Sequence, residues 1–372
     1  MTERFIGLMS GTSLDGVDGV IAQWDDEQAQ VLQYASAPFS AELKAELLAL
    51  NTAGYNELHR AALAANALAR CYADVVSALL ASSRLPTSSI TAIGAHGQTV
   101  RHQPGMWDGT GYTSQINSPA LLVELTGITV VADFRSRDVA AGGQGAPLVP
   151  AFHQGVFGQT GALRWVLNIG GISNVSRLDA LSGDVRGWDC GPGNALMDHW
   201  CQQHTGQPYD DGGRWAASGQ PIPALLAALM AEPFLVQPPP KSTGRDLFNP
   251  AWLAPLLAQH AAGAAPADVQ ATLTEFTAQA IAQDMRHYGA ASGQTLIVCG
   301  GGALNGYLLQ RLTALLPGVV VESSAAHSLP PLQVEATAFA WLARQCWHGL
   351  PGNLPAVTGA RGARVLGTIY PR

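Results

Sequence analysis

The sequence predicts an α/β fold of two lobes, and three observations lead to this prediction. Short apolar runs typical of strands precede polar, glycine-rich turns at residues 10–16, 170–174 and 300–305. Stretches rich in Ala and Leu with helical spacing lie among them, for example at 57–82. The segment 165–175 repeats the strand, turn, strand layout of the opening hairpin without repeating its residues. Two such hairpins predict a duplicated fold of mixed sheets flanked by helices, in which each lobe presents one hairpin to a polyphosphate.

Length and composition limit the classes of protein to which this chain can belong. The 372 residues are 47% hydrophobic and 13% charged, which favours two domains with sizeable cores. A net charge of −7 without a dense basic run argues against nucleic acid or an anionic membrane as the main partner and favours small molecules. The five cysteines have no metal-ligand spacing, so we expect a reducing cytoplasm. We find no basic-then-apolar leader and no uninterrupted apolar run of membrane-spanning length, and therefore expect neither secretion nor insertion.

The first glycine turn, residues 10–16, follows a predicted strand at 4–9 and leads into another at 17–23. Its glycines let the backbone approach an anion, and backbone N–H groups with the hydroxyls of Thr12 and Ser13 can donate to phosphoryl oxygens. Asp15 and Asp18 would repel a bare phosphate, but they suit Mg²⁺ bound between carboxylate and nucleotide. The alternative is a surface hairpin in which Asp and Gly serve only the turn.

Polar residues follow two further predicted strands. The strand at 90–95 leads to His96, which is either a general base or a hydrogen-bonded structural histidine. Residues 133–138 hold two arginines and two aspartates and precede a glycine-rich run at 140–147. This composition suits a polar ligand approached closely by backbone, or a salt-bridged hinge between domains. A helix is predicted from 148, directly after Pro147.

Three features of the second half bear on function. Asp189 lies at a predicted strand end before a helix at 195–204, either as a fixed carboxylate facing a cleft or as a helix cap. Residues 241–245 follow a proline run, and this composition is typical of a linker with anion-binding side chains at its end. Glu335 begins an apolar helix, where a functional role and a favourable charge at the helix N-terminus are both open.

Glycine turns with neighbouring carboxylates favour an ATP-using phosphotransferase, because phosphoryl transfer needs backbone cradles, Mg²⁺ and one base more than covalent chemistry. None of the turns matches the P-loop or the dinucleotide-binding fingerprint. Two rival functions are a plain hexose or amino-sugar kinase and a non-catalytic, ATP-driven binding module.

The chain as a whole resembles the anhydro-N-acetylmuramic acid kinases. The residues that carry the resemblance lie at 7–18, 96–99, 133–147, 168–174, 189–194, 241–245, 299–305 and 335–342. The resemblance implies the two-lobe fold of the sugar kinase, Hsp70 and actin superfamily with a central ATP cleft, a cytoplasmic location and a homodimer. It also implies the reaction: 1,6-anhydro-N-acetylmuramic acid, ATP and water give N-acetylmuramic acid 6-phosphate and ADP in peptidoglycan recycling.

The resemblance assigns roles to individual residues. Asp189 would be the catalytic base, with Asp15 as a magnesium ligand. The nucleotide and its phosphates would contact Gly11, Thr12, Ser13, Leu14, Asp15, Gly16, Val17, Asp18, Gly170, Gly171, Ser173, Asn174, Gly300, Gly301, Gly302 and Asn305. The sugar would contact Arg135, Glu335, His96 and Thr99. We assign residues 1–150 to the first lobe and 151–372 to the second, with the C-terminal helix able to pack back on the first.

Overall fold

The computed structural model describes residues 2–11, 13–25, 28–244 and 247–372. The strands are β1 (Glu3–Met9), β2 (Gly16–Asp25), β3 (Gln28–Pro38), β4 (Ala92–Ala95), β5 (Gln98–Pro104), β6 (Gly111–Ile116), β7 (Val130–Ala132), β8 (Leu163–Ile169), β9 (Ile172–Asp179), β10 (Asp184–Pro192), β11 (Thr295–Cys299), β12 (Val320–Ser323) and β13 (Thr368–Tyr370). The helices are α1 (Ala41–Ala49), α2 (Glu57–Ser83), α3 (Pro119–Thr126), α4 (Ser136–Ala140), α5 (Val149–Phe157), α6 (Ala195–Thr205), α7 (Arg214–Ser218), α8 (Pro223–Met230), α9 (Pro250–His260), α10 (Pro266–His287), α11 (Gly306–Leu315), α12 (Val334–Trp347) and α13 (Pro355–Thr358).

The chain divides into two compact units. The first contains Met1–Val156 together with Gln333–Arg372, and the second is Phe157–Leu332. Each unit is built around one mixed sheet with its own buried apolar core, as expected for an α/β architecture.

The two main sheets share one topology. In the first unit the strand order is β13-β7-β4-β1-β2-β3, where β1 pairs antiparallel with β2 and parallel with β4. In the second unit the order is β10-β9-β8-β11-β12, where β8 pairs antiparallel with β9 and parallel with β11. The five strands β3-β2-β1-β4-β7 therefore correspond in order and direction to β10-β9-β8-β11-β12. This correspondence confirms the predicted duplication of mixed sheets flanked by helices.

The C-terminal helix α12 belongs to the first unit because two glycines let it lie directly against the first sheet. A Cβ on Gly7 of β1 would come within 1.8 Å of the carbonyl oxygen of Ala336, and a Cβ on Gly94 of β4 within 2.1 Å of that of Phe339. The sequence prediction ended the first lobe at 150 and gave 151–372 to the second, with the C-terminal helix able to pack back on the first. In the structure the first unit runs to Val156 and includes the chain from Gln333 onward, α12 among it.

Helix α2 is long and apolar enough, by length and composition, to cross a membrane. Arg70 and Asp74 interrupt its apolar run, and half of its most apolar window is buried. Its buried face, which includes Leu68, Tyr72 and Leu79, packs in the core of the first unit. A core helix passes the same composition test, so α2 is weak evidence for a membrane span.

Most elements predicted from periodicity are confirmed. Both hairpins, the strand before His96 and the helices predicted at 57–82, from 148 and at 195–204 are present, with ends shifted by a few residues. Strand β3 was not predicted. It lies at the sheet edge with mostly half-exposed side chains, so it carries no strong apolar alternation. The hairpin of β5 and β6 was also not predicted.

Gly94→Ala is expected to lower the free energy of unfolding by about 2–3 kcal/mol or more, because the new methyl group must displace the backbone of α12. Thermal unfolding of the purified protein measures this as a lower midpoint. Gly155→Ala on α5 is the matched control, since a Cβ there meets nothing within 4 Å, and it should be neutral or stabilise by roughly 0.5–1 kcal/mol. Equal stability of the two variants would contradict the packing of α12 on β4.

Candidate functional site

The first glycine turn joins β1 to β2 in the first unit. A Cβ on Gly11 would meet nothing nearer than the Ser13 hydroxyl at 3.6 Å, so the backbone faces open space there. The side chains of Leu14 and Val17 are buried in the core, which leaves only their main chain for contact with a ligand. Thr12 lies outside the described residues. The backbone at Gly11 is therefore open to a ligand, while the side chains of Leu14 and Val17 are not available for contact.

The remaining residues of this turn differ in environment. Gly16 packs against β3, where a Cβ would lie 2.2 Å from the Ala37 carbonyl oxygen. Asp15 is 78% exposed at its side chain, with Lys44 Nζ 3.8 Å from Oδ1. Asp18 is half-buried and accepts a 2.6 Å hydrogen bond from the Tyr34 hydroxyl. Burial raises the pKa of the Asp18 carboxyl above its usual value, although the Tyr34 hydrogen bond opposes this.

The donor set at this turn fits magnesium. Among the described residues there is no cluster of three His, Cys, Asp or Glu side chains arranged to hold a metal. Mg²⁺ does not require such a cluster, because it keeps several waters and is commonly held by one or two carboxylates with substrate phosphates. A solvated Asp15 beside an open glycine backbone meets that requirement.

His96 is a structural acceptor rather than a free base. Its Nε2 accepts from Arg135 Nε and Nη2 at 3.1 and 3.0 Å, so the ring proton belongs on Nδ1, which donates to the Ser10 carbonyl at 3.3 Å. Burial, reinforced by the positive charge of Arg135, lowers the pKa of His96 to about 3. The ring is therefore neutral at physiological pH, with both nitrogens engaged. The sequence allowed His96 to be a general base or a hydrogen-bonded structural histidine, and these contacts are those of a structural histidine.

A hydrogen-bonded network ties His96 to the first glycine turn. The Ser10 hydroxyl donates to the Gly97 carbonyl at 3.0 Å and lies 2.9 Å from the Tyr72 hydroxyl. The Gly97 N–H donates to the same Tyr72 oxygen at 3.0 Å. The residues of this network, Ser10, Tyr72, His96 and Gly97, are all buried, so their hydrogen bonds hold the start of the turn rigidly against β4.

Arg135 is held by backbone and by His96. Its Nη1 donates to the Gly145 carbonyl at 2.8 Å. The Gly145 N–H in turn donates to Asp138, a fully buried carboxylate that also accepts from the Asn353 amide and the Thr358 hydroxyl. Neutral donors thus satisfy Asp138, and the glycine-rich segment after it is fixed in place. Asp138 is not part of a salt-bridged hinge between domains, because the hydrogen bonds of its carboxylate all lie within the first unit.

The remaining predicted sugar contacts lie nearby in the first unit. Glu335 is half-buried in the first turn of α12, where an acidic side chain also complements the helix dipole. Phe339, one helical turn later, packs its ring 4.6 Å from that of His96. Thr99 on β5 accepts a hydrogen bond from the Gln115 amide at 3.2 Å. The structure therefore brings His96, Arg135 and the Glu335 face of α12 together.

The second glycine turn, between β8 and β9, lies against the start of α6 in the second unit. The Gly170 carbonyl accepts from the Asn194 N–H at 2.8 Å, and the Gly171 carbonyl accepts from the Gly193 N–H at 2.9 Å. A Cβ on Gly170 would meet only the Ile172 carbonyl, at 3.6 Å, so its other side is open. The Ala195 N–H donates to the Gly171 carbonyl as well, at 3.2 Å, so the N–H groups at the start of α6 bind the carbonyls of this turn.

Ser173 faces away from the turn surface. Its side chain is fully buried, and its hydroxyl donates to the carbonyls of Gly191 and Pro192 at 3.2 and 3.1 Å. The predicted phosphate contact through this hydroxyl is therefore wrong, because the hydroxyl joins β9 to the end of β10 instead.

The third glycine turn packs on the second because β11 runs parallel to β8 with Cys299 opposite Asn168. A Cβ on Gly300 would lie 2.4 Å from Asn168 Oδ1, and one on Gly302 would lie 2.3 Å from Ile169 Cγ2. Gly301 between them is exposed. Asn305 caps α11 by accepting from the Leu308 N–H at 3.0 Å, so its side-chain oxygen serves the helix.

Asp189 lies near the end of β10 in a row of polar residues across three strands. It is opposite Asn174 on β9, which is opposite Asn168 on β8. Residues directly opposite in antiparallel strands project to the same face, so the three side chains share one side of the sheet. Asp189 does not cap α6, whose N-cap residue is Asn194.

Segment 241–244 holds the Asp189 carboxylate. The Asp189 N–H donates to the Lys241 carbonyl at 3.1 Å, and the Thr243 N–H donates to Asp189 Oδ2 at 2.9 Å. Lys241 itself is 6% exposed and pairs with Asp284 at 2.9 Å. The expectation that this lysine binds an anionic ligand is wrong, since its charge is buried in an internal ion pair. Arg245, of the same predicted group, lies outside the described residues.

Sequence reasoning gave no individual role to three residues of this site, although each lies in a range that carries the family resemblance. Asn168 completes the polar row, Asn194 donates its amide to the Ile169 carbonyl at 3.0 Å, and Thr243 holds Asp189 through its backbone. Asn168 and Asn194 border glycine turns in the sequence, which was an available signal. The Thr243 contact joins residues distant along the chain, and no local pattern encodes it.

Comparison with known proteins adds a family assignment. The model of the family described as anhydro-N-acetylmuramic acid kinase matches residues 3–372. A protein named anhydro-N-acetylmuramic acid kinase from Variovorax paradoxus (strain S110) is 67% identical over 99% of this chain and 99% of its own length. One of the same name from Cupriavidus pinatubonensis is 59% identical over 100% and 99%.

A solved structure is a more distant neighbour. The activator of the 2-hydroxyisocaproyl-CoA dehydratase from Clostridium difficile with bound ADPNP covers 91% of this chain and 92% of its own, at 12% identity and a TM-score of 0.46. No conclusion about this chain follows from so distant a likeness. The family match, together with the duplicated sheet topology described above, is sufficient. The chain belongs to the anhydro-N-acetylmuramic acid kinase family and is an enzyme with a duplicated α/β fold.

Proposed function

We propose that the protein uses ATP and water to convert 1,6-anhydro-N-acetylmuramic acid into N-acetylmuramic acid 6-phosphate and ADP, as a step in the recycling of cell-wall sugar. The observation that carries the proposal is the arrangement in the second unit. A backbone-held carboxylate, Asp189, shares a sheet face with Asn174 and Asn168, next to two glycine turns. A phosphotransferase needs such a base close to an anion cradle.

The proposed chemistry follows from the substrate. O6 of an anhydro sugar is bonded to C1, so it is not a free hydroxyl until that bond breaks. Asp189 takes a proton from water, the water oxygen forms a bond to C1, and the C1–O6 bond breaks. O6 then bonds to the γ-phosphorus of ATP as ADP leaves. This step resembles that of an inverting glycosidase, with the phosphoryl group in place of a proton donor.

The open backbone of the glycine turns supports the nucleotide contacts that the family resemblance predicts. Gly170 and Gly171 would face the phosphates, and the exposed backbone at Gly301 would lie against the adenosine. The turn at Gly11 would supply the other phosphate contacts. When bound near Asp15, Mg²⁺ would neutralise charge on the phosphates.

The sugar contacts are assigned to the first unit. Arg135 suits the lactyl carboxylate, because a guanidinium held by backbone and His96 is already oriented for a planar anion. Glu335 and Thr99 would contact hydroxyl or amide groups, and His96 would act by holding Arg135. We further propose a cytoplasmic homodimer.

The mass of the product separates this reaction from that of a plain sugar kinase. With the anhydro sugar and ATP, the product should gain one phosphate and one water. Gain of phosphate alone would mean that an existing hydroxyl is the acceptor. Tight ATP binding without any phosphosugar would favour the non-catalytic binding module instead.

Asp189→Asn is expected to lower kcat by roughly 10² to 10⁴-fold, because an amide cannot accept the water proton. ATP affinity, measured by calorimetry, should change by no more than about twofold, since phosphates are assigned to backbone groups. Asp184→Asn at the other end of β10 is the control and should keep normal kcat. Near-normal turnover of Asp189→Asn would place the base elsewhere.

Reaction in ¹⁸O-water should place the label on the C1 hydroxyl of the product and none on the phosphate, because water attacks carbon. A parallel incubation of unlabelled product in ¹⁸O-water corrects for exchange at the reducing end. Mass spectrometry after phosphatase treatment in ordinary water locates the label. Label in the phosphate would show attack of water at phosphorus and overturn the mechanism.

A further inference from the structure

Asp284 on α10 makes contacts that converge around Asp189. Its carboxylate oxygens lie 2.9 and 3.2 Å from Lys241 Nζ, and the Trp188 indole N–H donates to Oδ2 at 3.1 Å. Trp188 immediately precedes Asp189 on β10. One carboxylate therefore holds both the strand that carries Asp189 and the segment that crosses it.

The crossing segment has no regular secondary structure to fix its position. Residues 237–244 belong to neither a helix nor a strand, yet the Lys241 carbonyl and the Thr243 N–H both bond to Asp189. The Lys241 side chain anchors this backbone by donating to Asp284 and to the Leu235 carbonyl at 3.2 Å. Its ammonium also lies 5.0 Å from the centre of the Phe234 ring.

Stability alone does not explain this ion pair. Lys241 and Asp284 are 6% and 4% exposed, and the desolvation of two charges at such a site largely offsets their attraction. A well-packed apolar or neutral pair can support a core equally well. What the charged pair adds is direction, because Asp284 also bonds to Trp188, which precedes Asp189, and Lys241 lies in the segment that bonds to Asp189.

We infer that the buried Asp284–Lys241 pair positions the Asp189 carboxylate for the reaction. The inference rests on the proposed function, which gives Asp189 its role as base. Asp284 and Lys241 are positioning residues, since they act through Trp188 and through the backbone of residues 241–243. A carboxylate displaced by about 1 Å can lose roughly 10²-fold in rate without loss of substrate binding.

The test is the double variant Lys241→Met/Asp284→Asn. It removes both charges together, so no unpaired ion is buried, and the new amide oxygen can still accept from Trp188. We expect kcat to fall roughly 10- to 100-fold while KM for ATP and for the anhydro sugar changes by less than about twofold. Rates are measured well below the unfolding midpoint of each variant, with folding checked by circular dichroism.

A second ion pair on the same helix, with a buried carboxylate and a half-buried arginine, is the control. Glu275 of α10, 5% exposed, accepts from Arg311 of α11 at 2.7 Å, and neither residue bonds to Asp189 or segment 241–244. Glu275→Gln/Arg311→Met should lower the unfolding midpoint without lowering kcat. Equal loss of kcat in both double variants, or normal kcat in Lys241→Met/Asp284→Asn, would overturn the inference.

Two further variants keep the outcomes distinct. If the double variant does not fold, Trp188→Phe removes the hydrogen bond from β10 to Asp284 without leaving an ion unpaired, and it is judged by the same kcat and KM criteria. Asp189→Asn tests the proposed function separately. If Asp189→Asn is inactive and Lys241→Met/Asp284→Asn is fully active, only the positioning role is ruled out. If Asp189→Asn is active, Asp189 is not the base.

Discussion

The parallel pairing of β8 with β11 is the constraint on which the chemistry of the second unit depends. It sets Cys299 opposite Asn168, so the turns that leave the ends of both strands lie side by side. Gly300 and Gly302 make this approach possible, because a Cβ at either position would overlap Asn168 or Ile169. The antiparallel partners on the other side of β8 then place Asn174 and Asp189 in the same row. One sheet therefore gathers two of the glycine turns proposed for nucleotide binding and the proposed base.

Charged and titratable groups in this protein act largely by holding backbone. His96 is neutral and orients Arg135, Asp138 fixes the glycine-rich segment that Arg135 contacts, and Lys241 anchors the loop beside Asp189. These groups are buried, and each hydrogen bond in a low-dielectric interior is directional and costly to lose. Rigid backbone is what phosphoryl transfer requires, because positioning and charge stabilisation supply most of its catalysis.

Local patterns predicted much of the fold and part of the site. The hairpins, the core helices and the glycine turns follow from apolar periodicity and glycine content, which are properties of neighbouring residues. The edge strand β3 escaped prediction because its side chains are half-exposed. The packing of α12 against the first sheet was only an open possibility in the sequence, because helix-on-sheet packing joins distant residues. The same reason explains the errors at Ser173 and Lys241. Their residue types suit anion binding, but contacts from remote strands and helices direct both side chains inward.

The sequence by itself determined the duplicated α/β layout, the three glycine turns and, through its family resemblance, the proposed base. Each of these depends on residue type and local spacing. Tertiary structure decided which polar groups are held and by what: that His96 is a neutral acceptor, that Asp189 is bonded by the Thr243 backbone, and that Asp284 holds both flanks of Asp189. These outcomes are set by burial and by hydrogen bonds between residues far apart in the chain, and such contacts exist only once the chain has folded.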